Sequence, residues 1–164
     1  MDAITLLREQ SRTVSEIFSR VLAPITDEQL LWQPEGAKTN AIASTVLHVV
    51  GGEDRAIHGQ AKKPTILQSS GLGERLGYDP QQPWVLPATV SADVLRAYAS
   101  EVSAATAAYL ETLQPEDLTR EVPSPRGVRS LREMLTMILV VHKCTHMGEI
   151  SALLGCQGVT GFPV

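Results

Sequence analysis

Residues 140–150 of this 164-residue chain read VVHKCTHMGEI, setting His142 and His146 four positions apart in an apolar stretch. On an α-helix such a pair differs by about 40° in direction and about 6 Å in rise, so both imidazoles leave one face. That is how a helix offers two ligands to one metal ion. Leu135, Ile138, Ile150 and Leu153 flank the same side, and Glu149 lies near it. Taken alone, the pair is more commonly two core imidazoles, each bonded to a nearby oxygen. Helical metalloproteases place Glu directly after the first His; here that residue is Lys143. His48 changes the balance, because it too stands mid-helix, among Val46, Leu47, Val49 and Val50. Three imidazoles from two facing helices would leave a coordination position open. Neutral ligands also leave the ion its full charge, which strongly lowers the pKa of bound water or holds a thiolate.

These residues need helices to position them, and the chain predicts four long ones. Residues 2–22 space Ile4, Leu7, Val14, Ile17, Phe18 and Val21 along one helical face, ending before Pro24. A short helical turn follows in ITDEQLLWQP, capped by Thr26 or Asp27 and stopped by Pro34. Thr39 or Asn40 opens the second long helix, AIASTVLHVVGGEDRAIHGQ, in which Gly51 and Gly52 point to close packing or access to a site. Residues 61–90 are rich in proline and glycine and read as a long crossover with little regular structure, whose Tyr78 and Trp84 either lid the site or simply pack. Ser91 caps a third helix carrying Val94, Tyr98, Val102, Ala105 and Tyr109 on one face. After LQPEDL and the loop VPSPRGVRS, a capping box of Ser130 and Glu133 opens the fourth, which runs to about Leu154 before Gly155. The fold class expected is all-α, a four-helix bundle with a long crossover between helices two and three, as a single domain over residues 1–164. A weak echo relates the halves: helix, TDEQL, glycine loop, His-bearing helix, then helix, PEDL, glycine loop, His-bearing helix.

Composition narrows the partners. A net charge of −4 argues against nucleic-acid binding, which needs a basic face. The charged first helix reads as neither a secretory signal nor a membrane span. Cys144 and Cys156 form neither a CxxC pair nor a disulfide framework, so reduced thiols in a cytoplasmic protein are expected.

Around the three histidines, Ser44, Glu53, Asp54 and Glu149 are candidates to orient the imidazoles, each also readable as a solvated or capping group. Arg55, two turns after His48, suits either a substrate carboxylate or a surface ion pair. His58 points away from His48 and reads as a histidine near a helix C-terminus. Cys144 faces away from His142 and reads as packed; Cys156 follows the helix.

TNAIASTVLHVVGGEDRAIHG, followed later by HKCTHMGEISALLGCQGVTGFP, resembles the DinB-like (DinB/YfiT) family of bacterial four-helix metalloproteins. The matching positions are His48, His142 and His146, with Gly148, Ile150, Leu153 and Leu154 completing the pattern. Thr145 departs from it, since many members carry a further histidine there. The resemblance implies a divalent metal, zinc or nickel, on those three histidines, and frequent homodimers. It also implies enzymes that activate a low-molecular-weight thiol or water, as S-transferases, isomerases or hydrolases acting on a small-molecule substrate. Two other classes fit the same residues: a non-catalytic metal-binding or stress-response protein, and a metal-free dimeric interaction module. The catalytic residues are unknown at this stage.

Overall fold

The computed structural model describes residues 2–77, 90–124 and 127–162. Helix α1 (Ala3–Leu22) starts where the Asp2 carboxylate accepts the Thr5 N–H at 2.8 Å, satisfying one of the free donors of its first turn. Its buried residues, Ile4, Leu7, Ser11, Val14, Phe18, Val21 and Leu22, recur every three or four positions. The short helix α2 (Asp27–Leu30) is closed by Thr26 and Gln29, and its Asp27 accepts the Ala92 N–H at 2.7 Å. That bond pins the start of α6 (Ala92–Thr112) to the end of the first helical segment.

Helix α3 (Ile42–Ala61) carries the two glycines and ends at Lys62, whose left-handed backbone (φ 54°) precedes Pro64. The crossover is more ordered than the sequence predicts. It contains two single-turn helices, α4 (Ile66–Ser69) and α5 (Leu72–Arg75), the first opened by a capping box of Thr65 and Gln68. Tyr78 and Trp84, considered above as a lid, lie outside the described residues.

After α6 come a 3-10 turn (Pro115–Thr119) and a two-stranded antiparallel hairpin, β1 (Glu121–Ser124) and β2 (Gly127–Ser130), in place of the expected loop. Ser130 then forms the expected capping box: its hydroxyl accepts the Glu133 N–H and the Glu133 carboxylate accepts the Ser130 N–H. The last long helix has three parts: α7 (Leu131–Thr136), a π turn (Met137–His142) and α8 (Lys143–Cys156). The TDEQL and PEDL segments of the two halves become α2 and the 3-10 turn, in matching places.

The π turn is written in the burial pattern. Leu131, Leu135, Leu139, Lys143 and Met147 are all buried, at a constant interval of four. In an unbroken α-helix sixteen such residues would drift by about 160°, carrying Met147 to the face opposite Leu131. A segment with i→i+5 bonds absorbs the drift and keeps the row facing inward.

The four long segments pack as a bundle in which α1 and α3 each lie against both α6 and the α7–α8 helix. The apolar interior falls into two clusters. One holds Phe18, Val46, Tyr98 and Leu154, the other Leu7, Ile57, Leu110 and Leu135. Between them, each helix contributes one residue to a polar layer. The Lys143 ammonium lies 2.5 Å from the Glu53 carboxylate and donates to Ser15 Oγ at 3.1 Å, and Thr106 donates to Glu53 at 2.8 Å. Lys143 and Glu53 are 2% and 1% exposed, so neither charge has water to fall back on. Glu53, a candidate to orient an imidazole, is instead the partner of this lysine.

Candidate metal centre

His48 leaves the middle of α3, His142 ends the π turn and His146 lies one turn into α8. All three imidazoles converge on the seam between those helices. Their ring centroids are 4.6–5.0 Å apart, and each pair of ring planes is inclined by 69–85°. One nitrogen from each ring lies within 4.8 Å of the others, a cluster that could hold a metal ion. His48 and His142 bring their Nε2 atoms to 2.9 Å. At that separation one ring donates to the other, or both lone pairs face a common cation. Gly52 lies beside this pair, where a Cβ would meet His142 Cε1 at an ordinary contact distance of 3.6 Å.

The electrostatics favour neutral imidazoles, the form that coordinates metal. Burial, reinforced by the charges of His146 and His48, pushes the His142 pKa down to about 4. Burial also lowers that of His48, with His146 and the Arg55 guanidinium adding to the effect. Glu149 lies 2.7 Å from His146 Nδ1, so its carboxylate accepts the Nδ1–H and leaves the Nε2 lone pair free. His142 Nδ1 is buried with no hydrogen-bond partner. The donor set and its orientation therefore fit a divalent ion.

The remaining candidates separate. Asp54 is fully buried and serves the crossover, accepting the Ile66 and Leu67 N–H groups at 3.0 and 3.2 Å and the Tyr98 hydroxyl at 2.7 Å. His58, expected near the surface, is half-buried with Nδ1 2.8 Å from the same carboxylate. Ser44 is half-buried on the site's face of α3, without a side-chain hydrogen bond among the described residues. Arg55 is exposed and forms no ion pair among the described residues. Cys144 and Cys156 are both exposed free thiols, so Cys144 is not the packed residue its helical position suggested. Lys143 was missed as a structural residue; its place in the row of four-residue intervals was the available signal.

A sequence model of the DinB superfamily matches residues 10–150. The chain belongs to the DinB superfamily. No curated protein matches its sequence. Among solved structures, this DinB-superfamily chain resembles a conserved protein from Enterococcus faecalis, with a TM-score of 0.74 and 17% identity over 93% of this chain and 95% of that one. It also resembles a DinB-like protein from Bacillus cereus ATCC 10987, with a TM-score of 0.68 and 22% identity over 96% of this chain and 95% of that one. At these identities the likeness establishes the shared helical fold. No helix among the described residues is long and apolar enough to cross a membrane.

Proposed function

We propose that this DinB-superfamily chain is a cytoplasmic divalent-metal enzyme, with zinc or nickel on His48, His142 and His146, acting on a small molecule through a thiol or water nucleophile. The observation that carries the reading is the convergence of three imidazoles with no fourth His, Cys, Asp or Glu in the cluster among the described residues. A structural zinc site is closed by four protein ligands, whereas three leave room for an exogenous one. When bound, a divalent ion supplies a Lewis acid that makes a thiol or water acidic near neutral pH.

The chain's own residues supply the rest. The Glu149 carboxylate holds the proton on His146 Nδ1 and fixes the ring that presents Nε2. Burial keeps His142 and His48 unprotonated at neutral pH, so the donors need not lose protons first. Gly52 and Ser44 leave the α3 side of the site uncrowded by large side chains. The chemistry fits S-transfer or isomerisation with a low-molecular-weight thiol, or hydrolysis. The homodimer belongs to the same reading, with exposed Met137 and Val141 on the outer face of the π turn offering an apolar seam.

The test is elemental analysis of untagged protein purified under metal-replete conditions, alongside His48→Ala. About one metal per chain is expected, and its loss in the variant. Sub-stoichiometric metal in the native protein sinks the proposal. Metal that is retained while no thiol or water chemistry appears across a panel of electrophiles and esters leaves a non-catalytic metal-binding protein.

A further inference from the structure

Arg55 carries its guanidinium on the face of α3 that bears His48. Seven residues separate the two, two helical turns, so their Cα atoms differ by about 10.5 Å in rise and about 20° in direction. Side chains on a helix lean toward its N-terminus. Arg55 does so fully: its Nη1 atom lies 3.2 Å from where a Cβ on residue 51 would stand, a place left open because residue 51 is glycine. The guanidinium is thereby drawn back one turn, to a level only about 4.5 Å from His48 along the axis.

Among the described residues nothing uses this cation: Arg55 makes no ion pair and no hydrogen bond there. The nearby acids are engaged elsewhere: Glu53 by Lys143, Asp54 by Tyr98, His58 and two backbone N–H groups, Glu149 by His146. Its charge does reach the site, where it is one of the groups disfavouring protonation of His48. A rigid fork of donors, unpaired and held beside a cluster of neutral imidazoles, is suited to bidentate capture of a carboxylate.

We propose that Arg55 anchors a carboxylate of the substrate or co-substrate, and that the ligand is a small carboxylate whose thiol or hydroxyl reaches the three imidazoles two or three carbon atoms away. Gly51 belongs to the same device, since a methyl group there would meet Nη1 at 3.2 Å and shift the guanidinium by a few tenths of an ångström. The inference rests on the metal reading above and narrows its ligand to one class.

The test uses cobalt(II)-loaded protein, whose visible spectrum reports a thiol joining the metal, titrated with 3-mercaptopropionate and with its uncharged analogue 3-mercaptopropionamide. A charge-assisted bidentate pair should make the carboxylate bind about tenfold tighter or more. In Arg55→Gln that preference should vanish, with cobalt stoichiometry and mercaptopropionamide affinity unchanged; Gly51→Ala should weaken it. Equal affinity for both thiols in the native protein overturns the inference, as does a preference that survives in Arg55→Gln or a spectrum that answers to neither thiol. Failure to bind cobalt sinks the metal reading and this inference with it. Bound cobalt without a carboxylate preference sinks only the inference.

Discussion

The polar layer permits a sharp test of how the two apolar clusters are joined. In Lys143→Met the ammonium disappears and Glu53 is left 1% exposed with one hydroxyl donor, from Thr106. Breaking one side of a buried pair in this way costs about 3–5 kcal/mol. At about 2–4 °C of melting temperature per kcal/mol for a chain of this length, the variant should melt about 10–15 °C lower. Glu53→Met should cost a similar amount, because Lys143 then keeps only the Ser15 hydroxyl and the face of Phe18, 5.7 Å away. The double variant fills the layer with apolar atoms and removes both desolvation penalties, so it should return to within about 1 kcal/mol of the native protein. Urea unfolding of all four proteins in chelator, which removes any contribution from the neighbouring histidines, closes the cycle. A coupling energy above about 3 kcal/mol is expected. Single variants costing less than about 1 kcal/mol, or a double variant costing the sum of the singles, would refute the account of the layer as a closed network.

Other outcomes follow from the same structure. The metal-free protein should lose stability on acidification: the unfolded chain takes up a proton on His142 near pH 6.5, while the folded chain resists until about pH 4. This contribution is whole above pH 6.5 and shrinks as pH falls toward 4, by about 1–2 kcal/mol after screening at a half-open site. Urea midpoints at pH 7 and pH 4.5, compared with those of His142→Gln, measure it, and identical pH slopes in the two proteins would contradict it. Asp54→Ala should release the crossover, lowering the melting temperature by about 10 °C, since three donors lose their acceptor and His58 loses its carboxylate partner. Amide exchange at Ile66 and Leu67 should accelerate, and unchanged protection there would count against the clamp. Gly161→Ala places a Cβ 2.0 Å from the Ser151 carbonyl oxygen, so the C-terminal segment should leave α8, read as faster proteolysis after residue 156.

The helices and most of their ends were legible in the sequence because they rest on local rules; α3 is the exception, opening after Ala41 with no side-chain cap where Thr39 or Asn40 was expected. Ser91, Ser130 and Glu133 cap the helices they were expected to cap, and the apolar spacing of α1 survives intact. The three histidines could be grouped because polar rings in the middle of apolar helices need a common reason. Tertiary partners were not legible. Lys143 and Glu53 look like solvated charges until two other helices close over them, and Arg55 looks like the natural partner of Glu53 until Lys143 takes the carboxylate. The hairpin strands are four residues each, too short to show alternation, and they hold together by their cross-strand register. The first turn within the crossover, α4, depends on Asp54, twelve and thirteen residues before Ile66 and Leu67.

The π turn gives the last helix two rotational settings in place of one. Residues before Met137 and after His142 obey different phases, so a single helical wheel drawn through both misassigns one of them. The extra residue works like an inserted tooth in a gear. Removing one residue from 137–141 would let the segment close into plain α-helix with little rotation of everything downstream relative to α7, because the wider turn spends six residues on about the angle that five α-helical ones cover. Lys143 and the imidazoles at 142 and 146 would keep their partners. The helix can thus lose or gain this residue without moving the site, and relatives should be compared with it by allowing a gap inside it.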